Sequence, residues 1–455
     1  MPTKTILIFI NVALMAVFTC DIAWTDEGLN ISQSIIIQDE AIRKTVGIKE
    51  PEGSITLTDA LAHALVNNPE LAAFSLEKRA ADARVIQSRL IPNPEISAVV
   101  ENIGGAKEVT GGVQTTIQLS QLIELGGKRS ARTRTAYLSQ DLAEKDYEKK
   151  RIEVLSEVSM AFIKTLSAQR HLALAEEMAG LARQVVKTVS ERVMAGKVSP
   201  VEETKAGIAL SSVMVEQERA KLELASSRNR LSSMWGSVSP RFETAVGDME
   251  DQIAPVPPIE QLTARLSNNP DVVRSEAEIS QRKAVIDLER SKVVQDISVN
   301  AGYRRFTDYD ENSVIVGVTI PLPIFNRNQG GVLESRLLLS KAEEERRAAE
   351  VKAATLLAEA FKSISIAYVE VTTLRENMLP GAQSSYDATM EGYRMGKFGY
   401  LDVLDAQRTL FDVRLHYIKA LTGYHLAVAD VEQLIGETVI TKRTNIEQQQ
   451  KEKTR

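Results

Sequence analysis

Side chains able to do chemistry are sparse in this chain, and their spacing excludes more than it offers. There are four histidines, His63, His171, His416 and His425, and one cysteine, Cys20. No histidine stands beside a cysteine, and no carboxylate–histidine cluster has metal-site spacing. A nucleophile elbow and a phosphate loop are both absent from the sequence, so it offers neither an enzyme's motif nor a nucleotide-driven motor, and no cofactor or resident metal is expected. Acids are plentiful, and Asp402 and Asp405 show a common arrangement of them. Three positions apart, they share one face of a helix. Such acids can simply favour a helix N-terminus through its dipole.

Residues so placed need elements to hold them, and the chain spells those elements twice. Reading residue n against n+200, Ala195-Gly196-Lys197 answers to Met395-Gly396-Lys397, Trp235-Gly236 to Ile435-Gly436, Ala206 to Ala406 and Gly180 to Pro380. One position out of step, Asn67-Asn68-Pro69-Glu70 answers to Asn268-Asn269-Pro270-Asp271. A period of about 200 residues is far beyond a solenoid unit and means a duplicated half. The halves are 55–236 and 259–436, joined by 237–258 with its four prolines, after an extension 24–54 and before a polar tail 437–455.

The balance of 55 Lys+Arg against 61 Asp+Glu gives no basic stripe for nucleic acid,. The start reads as a secretory signal over 1–23: Lys4, then an apolar run from Ile6 to Phe18 broken only by Asn11, too short to span a bilayer. No later stretch reaches 18 apolar residues, so the chain is expected to be exported with no transmembrane helix. Cys20 directly after the apolar run has two readings. It is the lipid-carrying residue of a lipobox, although Phe18, Thr19 and Asp21 fit that poorly, or it is removed with the signal.

Proline is costly inside helices, and the gaps Pro94–Pro200 and Pro323–Pro380 therefore permit very long ones,. From Lys128 to Ala195 one helix would extend about 100 Å at 1.5 Å per residue. Leu155, Val158, Phe162 and Leu166 form its narrow apolar seam, and Leu357, Phe361, Ile364 and Tyr368 repeat it in the second half,. Gly180 and Pro380 are expected to break or kink these rods. Each rod turns at Gly196-Lys197-Val198-Ser199 or Gly396-Lys397-Phe398-Gly399 and returns, to about Met234 and Leu434,. Each half opens with two helices, near 57–67 and 70–90, then 259–268 and 271–292. Period-two alternation predicts strand pairs at 95–103 with 110–121 and at 296–306 with 313–322,. About ten residues long and apolar on one face, in an exported chain, these strands have the membrane-barrel pattern. Open strand edges are not tolerated in lipid, so four strands require an oligomer. Two copies would give a filled barrel, and three copies one wide enough for a channel.

Helix, strand pair, very long helix, tight turn and return helix, in that order and twice, resemble the TolC-like outer-membrane efflux channels over nearly the whole mature chain. The most specific matches leave the strand pairs: Gln121-Leu122-Ile123-Glu124-Leu125-Gly126-Gly127-Lys128-Arg129, and Pro321-Leu322-Pro323-Ile324-Phe325-Asn326-Arg327-Asn328-Gln329-Gly330. This pair of spellings is most similar to the heavy-metal, CzcC-like branch. Tyr393-Arg394-Met395-Gly396-Lys397 and Leu401-Asp402-Val403-Leu404-Asp405-Ala406-Gln407 are also typical of the family.

The resemblance implies a mainly α fold with membrane β. Four strands per chain would contribute to a trimeric 12-stranded outer-membrane barrel, with a long periplasmic helical barrel below. An equatorial layer from 237–258 and both ends would girdle the helices, and the tips would meet a periplasmic membrane-fusion adaptor and an inner-membrane RND pump. In the family, acids near the tips ring the periplasmic opening. By alignment these are Asp402 and Asp405, where carboxylates would select or retard cations. Glu202 takes the matching place in the first half, while Lys205 stands where a second acid would be. Tyr393 corresponds to a position that helps hold the closed state. Phe398 stands where the best-known gate has a basic residue, so the same closing network does not carry over. Gly196, Lys197, Val198 and Ser199, with Gly396, Lys397, Phe398 and Gly399, become adaptor contacts as well as turns. The expected function is a passive duct for heavy-metal cations. The alternatives are the same channel for organic compounds or secreted proteins, and a soluble periplasmic coiled-coil scaffold.

Overall fold

The computed structural model describes residues 50–103, 112–250, 253–307 and 310–437. The signal segment with Cys20, most of the extension 24–54 and the tail beyond 437 lie outside the described residues. The first half runs β1 (Gly53–Thr56), α1 (Leu57–Asn67), α2 (Pro69–Ser88), β2 (Glu95–Glu101), β3 (Gln114–Ile123), α3 (Lys128–Met194) and α4 (Pro200–Ser233). After β4 (Phe242–Val246) the second half runs α5 (Ile259–Thr263), a 3₁₀ turn (Leu266–Asn268), α6 (Pro270–Ser291), β5 (Ile297–Phe306), β6 (Glu311–Thr319), α7 (Gln329–Thr373), α8 (Leu379–Arg394) and α9 (Tyr400–Ile435). The helix expected over 259–268 is thus a short helix followed by a 3₁₀ turn, and the four strands fall within four residues of their expected bounds.

The repeated Asn-Pro pairs have a repeated job. Asn68 caps α2 by accepting from Leu71 N at 3.0 Å, and its Nδ2 donates to Met234 O at 2.8 Å, at the end of the returning helix. Asn269 accepts from Asp271 N at 3.0 Å and Val272 N at 3.3 Å, and donates to Leu434 O at 2.8 Å. Each pair therefore satisfies helix N-terminal donors and ties the start of a half to its end.

The rods form as expected, with one correction. α3 runs unbroken for 67 residues through Gly180. A single glycine costs a helix about 1 kcal/mol, which packed neighbours such as Met178, Ala179 and Ala182 offset by burial. Pro380 does mark an interruption: a π-helical turn, Leu374–Met378, separates α7 from α8, with Pro380 in the first turn of α8. There the missing N–H breaks no helical bond. Of the first seam Val158, Phe162 and Leu166 are buried with Val154, whereas Leu155 is only partly covered.

The four long strands form one antiparallel sheet in the order β2-β3-β5-β6. The register sets Ile96, Leu119, Ala301 and Val316 in one row, and Ala98, Ile117, Tyr303 and Val314 in the next. Residues opposite one another point to the same face, so the sheet has one continuous apolar face. That face is bare: Ile96, Val314 and Val316 are 76%, 78% and 75% exposed. The other face carries Gln118, Thr116, Arg304, Ser313 and Asn300, with Arg304 Nε donating to Thr116 Oγ1 at 3.0 Å. Gly126 turns the chain from β3 into α3. Its φ is +68°, and a Cβ there would sit 2.7 Å from Val294 Cβ, so only glycine fits.

Midway along the rods a strap crosses the helices. β1 pairs in parallel with β4, which joins the segment after the first half to the start of that half. Gln169 of α3 donates to Ala245 O at 2.9 Å and accepts from Ala245 N at 2.7 Å. Tyr424 of α9 makes the same two-way contact with Ala254, at 2.8 and 3.1 Å. His425 Nε2 meets Met249 O at 2.7 Å, and burial pushes its pKa down, so the ring stays neutral,. Beneath the strap lies the main core, including Phe162, Leu166, Trp235, Phe242, Leu421 and Tyr424. His63, packed 5.9 Å from Trp235, belongs to that core, as a structural role requires.

Candidate gate at the helix tips

The two hairpin tips are built on one plan. At the first, Gly196 takes φ +68°, its N–H reaches Val193 O at 2.9 Å, and Lys197 N reaches Arg192 O at 2.9 Å. At the second, Gly396 takes φ +77°, with Gly396 N to Tyr393 O at 3.0 Å and Lys397 N to Gly392 O at 2.8 Å. These bonds satisfy the last carbonyls of α3 and α8. The return helices start differently. Ser199 Oγ accepts from Val201 N at 3.3 Å, with Pro200 at the first helical position, whereas Gly399 N donates to Asp402 Oδ2 at 2.8 Å. Gly196, Lys197, Ser199, Gly396, Lys397, Phe398 and Gly399 are all exposed, and Val198 is half-buried.

Tyr393 is the centre of the tip core, 1% exposed among Val185, Val189, Ala206, Met390, Tyr400 and Val403. The Arg192 guanidinium lies over its ring, 4.4 Å from the centroid, and Nη1 donates to the Tyr393 carbonyl. Cation–π contact and a charge-assisted bond to a backbone oxygen therefore bind α3 to α8. Burial pushes the Tyr393 phenol pKa up; Arg192 opposes that rise, and Glu202 adds to it. Tyr400 is pushed up by burial too, with Glu202 again contributing. Among the described residues neither Tyr393 Oη nor Glu202 Oε2, both buried, makes a hydrogen bond of ordinary geometry. They are within electrostatic reach of each other.

The predicted residues thus separate into two groups. Tyr393 and Glu202 come together inside the tip. Asp402 and Asp405 sit exposed on α9, while their neighbours Val403 and Ala406 are buried. Asp402 performs the helix-capping role directly, and Asp405 faces solvent in the single chain. Lys205 is also exposed and, among the described residues, makes no ion pair that would answer for the missing acid. Arg192 was not singled out from the sequence, although the repeat carried a signal. Its counterpart is Gly392, whose bare backbone is covered by the Phe398 ring. A cation facing glycine across an otherwise regular repeat marks a specialised position.

A bare apolar sheet face, a duplicated helical hairpin and a strap around the rods define the outer-membrane channel class. The chain belongs to the outer membrane efflux protein family, whose model matches residues 60–237 and 262–437. It is 36% identical over 388 residues to the cobalt-zinc-cadmium resistance protein CzcC of Cupriavidus metallidurans, covering 85% of this chain and 91% of that one. It is 27% identical over 285 residues to the nickel-cobalt-cadmium resistance protein NccC of Alcaligenes xylosoxydans, covering 62% and 63%. Among solved structures, the outer membrane protein VceC of Vibrio cholerae superposes with a TM-score of 0.70 at 15% identity, over 84% of this chain and 96% of that one. CusC superposes at 0.66 and 20% identity, over 84% and 92%. At these identities the superpositions establish the fold. That fold is the TolC-like one expected from the sequence.

Proposed function

We propose that three copies of this chain form a passive duct through the outer membrane and periplasm, and that its cargo is divalent metal cations. The observation that supports the assembly most directly is the sheet, whose apolar face is bare and whose edges β2 and β6 are both unpaired in one chain. In lipid such edges must close on other copies. Three copies give a barrel wide enough for a lumen, whereas two would fill theirs with side chains.

The helices have matching edges. Within the chain they lie in the order α4, α3, α9, then α7 and α8. On the outer edge α4 exposes Val201, Ile208, Val215 and Leu222 at 59%, 67%, 54% and 72%. Their seven-residue spacing is that of a helix–helix seam. The opposite edge exposes Ile366, Val369 and Met378. Joining one chain's α4 to the next chain's α7–α8 closes a helical ring in step with the strands.

The cargo follows from kinship with CzcC and NccC, resistance proteins for cobalt, zinc, cadmium and nickel. An adaptor would seat on the tip residues and an inner-membrane RND pump would supply the energy, the duct itself doing no catalysis. Arg192, Tyr393 and Glu202 would hold the tip closed, and Asp402 and Asp405 would set its preference for cations. Deleting the gene from its host and measuring growth on cobalt, zinc, cadmium and nickel salts tests the cargo. Loss of resistance to at least one metal is expected. Unchanged resistance to all four, with sensitivity to an organic compound instead, would transfer the duct to that cargo.

A further inference from the structure

No group of three or more His, Cys, Asp or Glu side chains is arranged to hold a metal among the described residues, so the geometry gives no tight resident centre. It does give a two-donor arrangement between α3 and α4. His171 Nδ1 lies 3.1 Å from Glu223 Oε2, and His171 Nε2 lies 3.4 Å from Glu216 Oε1. The ring is largely covered, with 13% of its side chain exposed, and Nε2 is buried without a hydrogen-bond partner. The other Glu216 oxygen is approached by Arg219 Nη1 at 3.5 Å.

We propose that His171 Nε2 and Glu216 form a weak, transient station for divalent metal cations such as Zn²⁺ or Co²⁺ on the inner wall of the duct, with Glu223 as positioning residue. This inference rests on the duct reading and assigns it a cargo contact. Glu223 is suited to accept Nδ1–H, which leaves Nε2, facing Glu216, as the atom that could ligate a metal ion. A carboxylate behind a ligating imidazole is the usual way of fixing its tautomer and orientation. Two donors about 2.0–2.1 Å from a tetrahedral ion stand roughly 3.3 Å apart, close to the separation found here. Imidazole with one carboxylate suits borderline divalent metals, and only two protein ligands keep the ion labile, as a conducting site requires.

The station lies on the face a lumen would use. Gln169 of α3 grips the strap, and Leu166 and Phe162 pack against Gly247 within it. His171 is two residues beyond Gln169, so it points to the far side of the helix. Seven residues before it, on the same face, Lys164 lines a groove of about 580 Å³ with Glu223, Arg230 and Lys419. A strap inside a closed helical ring would block it, so the strap side is the exterior and His171 faces the lumen.

The test uses the intact detergent-solubilised protein titrated with Co²⁺, read by calorimetric stoichiometry and by the visible ligand-field absorbance of bound Co²⁺. One Co²⁺ per chain is expected, with binding at least about ten-fold weaker in His171→Ala and in Glu216→Gln, and about ten-fold weaker in Glu223→Gln. Native mass shows whether each variant keeps its assembly, and the isosteric Glu216→Gln decides should His171→Ala fail to fold. Absence of Co²⁺ binding in the wild type, or wild-type binding in assembled His171→Ala and Glu216→Gln, overturns the station. The host's metal resistance would then still test the duct separately.

Discussion

The two hairpin tips share a backbone and differ in what fills it. The first offers Arg192, Val198, Glu202 and Lys205, and the second offers Gly392, Phe398, Asp402 and Asp405. At the first tip a long cation leaves its own hairpin, covers the Tyr393 ring and bonds the α8 backbone. At the second, glycine at the matching position lets Phe398 fold back over its own hairpin. The first tip is therefore fastened to its neighbour and the second to itself. The turns are common to both hairpins, and the side chains at four matching positions make the difference; we propose that the first acts as a latch and the second as a lid. The acids divided in the same way: Glu202 is drawn in beside buried tyrosines, and Asp402 stays out as a cap.

The strongest way to break this contrast is to remove the glycine that permits the lid. A Cβ on Gly392 would overlap the Phe398 ring, so Gly392→Val should cost about 1–3 kcal/mol through overpacking. It would be seen as a lower melting temperature and faster protease cleavage at the second tip.

Next is the latch. Arg192→Ala removes the stacking and the carbonyl bond at a cost of about 1–2 kcal/mol, and it should raise single-channel conductance in planar bilayers. Arg394→Ala, at an exposed residue whose ion pair among the described residues is with Glu391 of its own helix, is the control and should leave conductance unchanged. Equal effects of the two would erase the distinction between latched and free tips.

A smaller effect is expected from Asp402→Asn, which weakens the bond to Gly399 N and should lower stability by about 0.5–1 kcal/mol. Asp405→Asn should leave the melting temperature within error. If Asp405→Asn nonetheless lowers cation selectivity in bilayers, the acid acts on ions and not on the helix. If neither substitution changes selectivity, both acids serve the fold alone.

Much of this architecture was legible in the sequence because it rests on local rules. Proline gaps permit rods, period-two alternation marks strands, and Asn-Pro pairs start helices. The Asn68 and Asn269 caps lie where the repeat places them. What escaped needed distances across the sequence. Arg192 meets Tyr393 only once α3 packs on α9 beside α8, and no periodicity within one helix reveals a partner 201 positions away. His171 likewise reaches Glu216 and Glu223 only once the register of α3 against α4 is set. Gly180 does not break its helix, for a different reason. The penalty for glycine is small, and the burial of its neighbours decides whether a helix continues.

The measurement that bears most directly on the central claim is the native mass of the protein extracted from outer membranes in detergent. The account predicts a single species of three chains, in which β2 of each copy meets β6 of the next. A monomer that leaves the membrane without detergent would contradict the barrel, and with it the latch, the lid and the metal station.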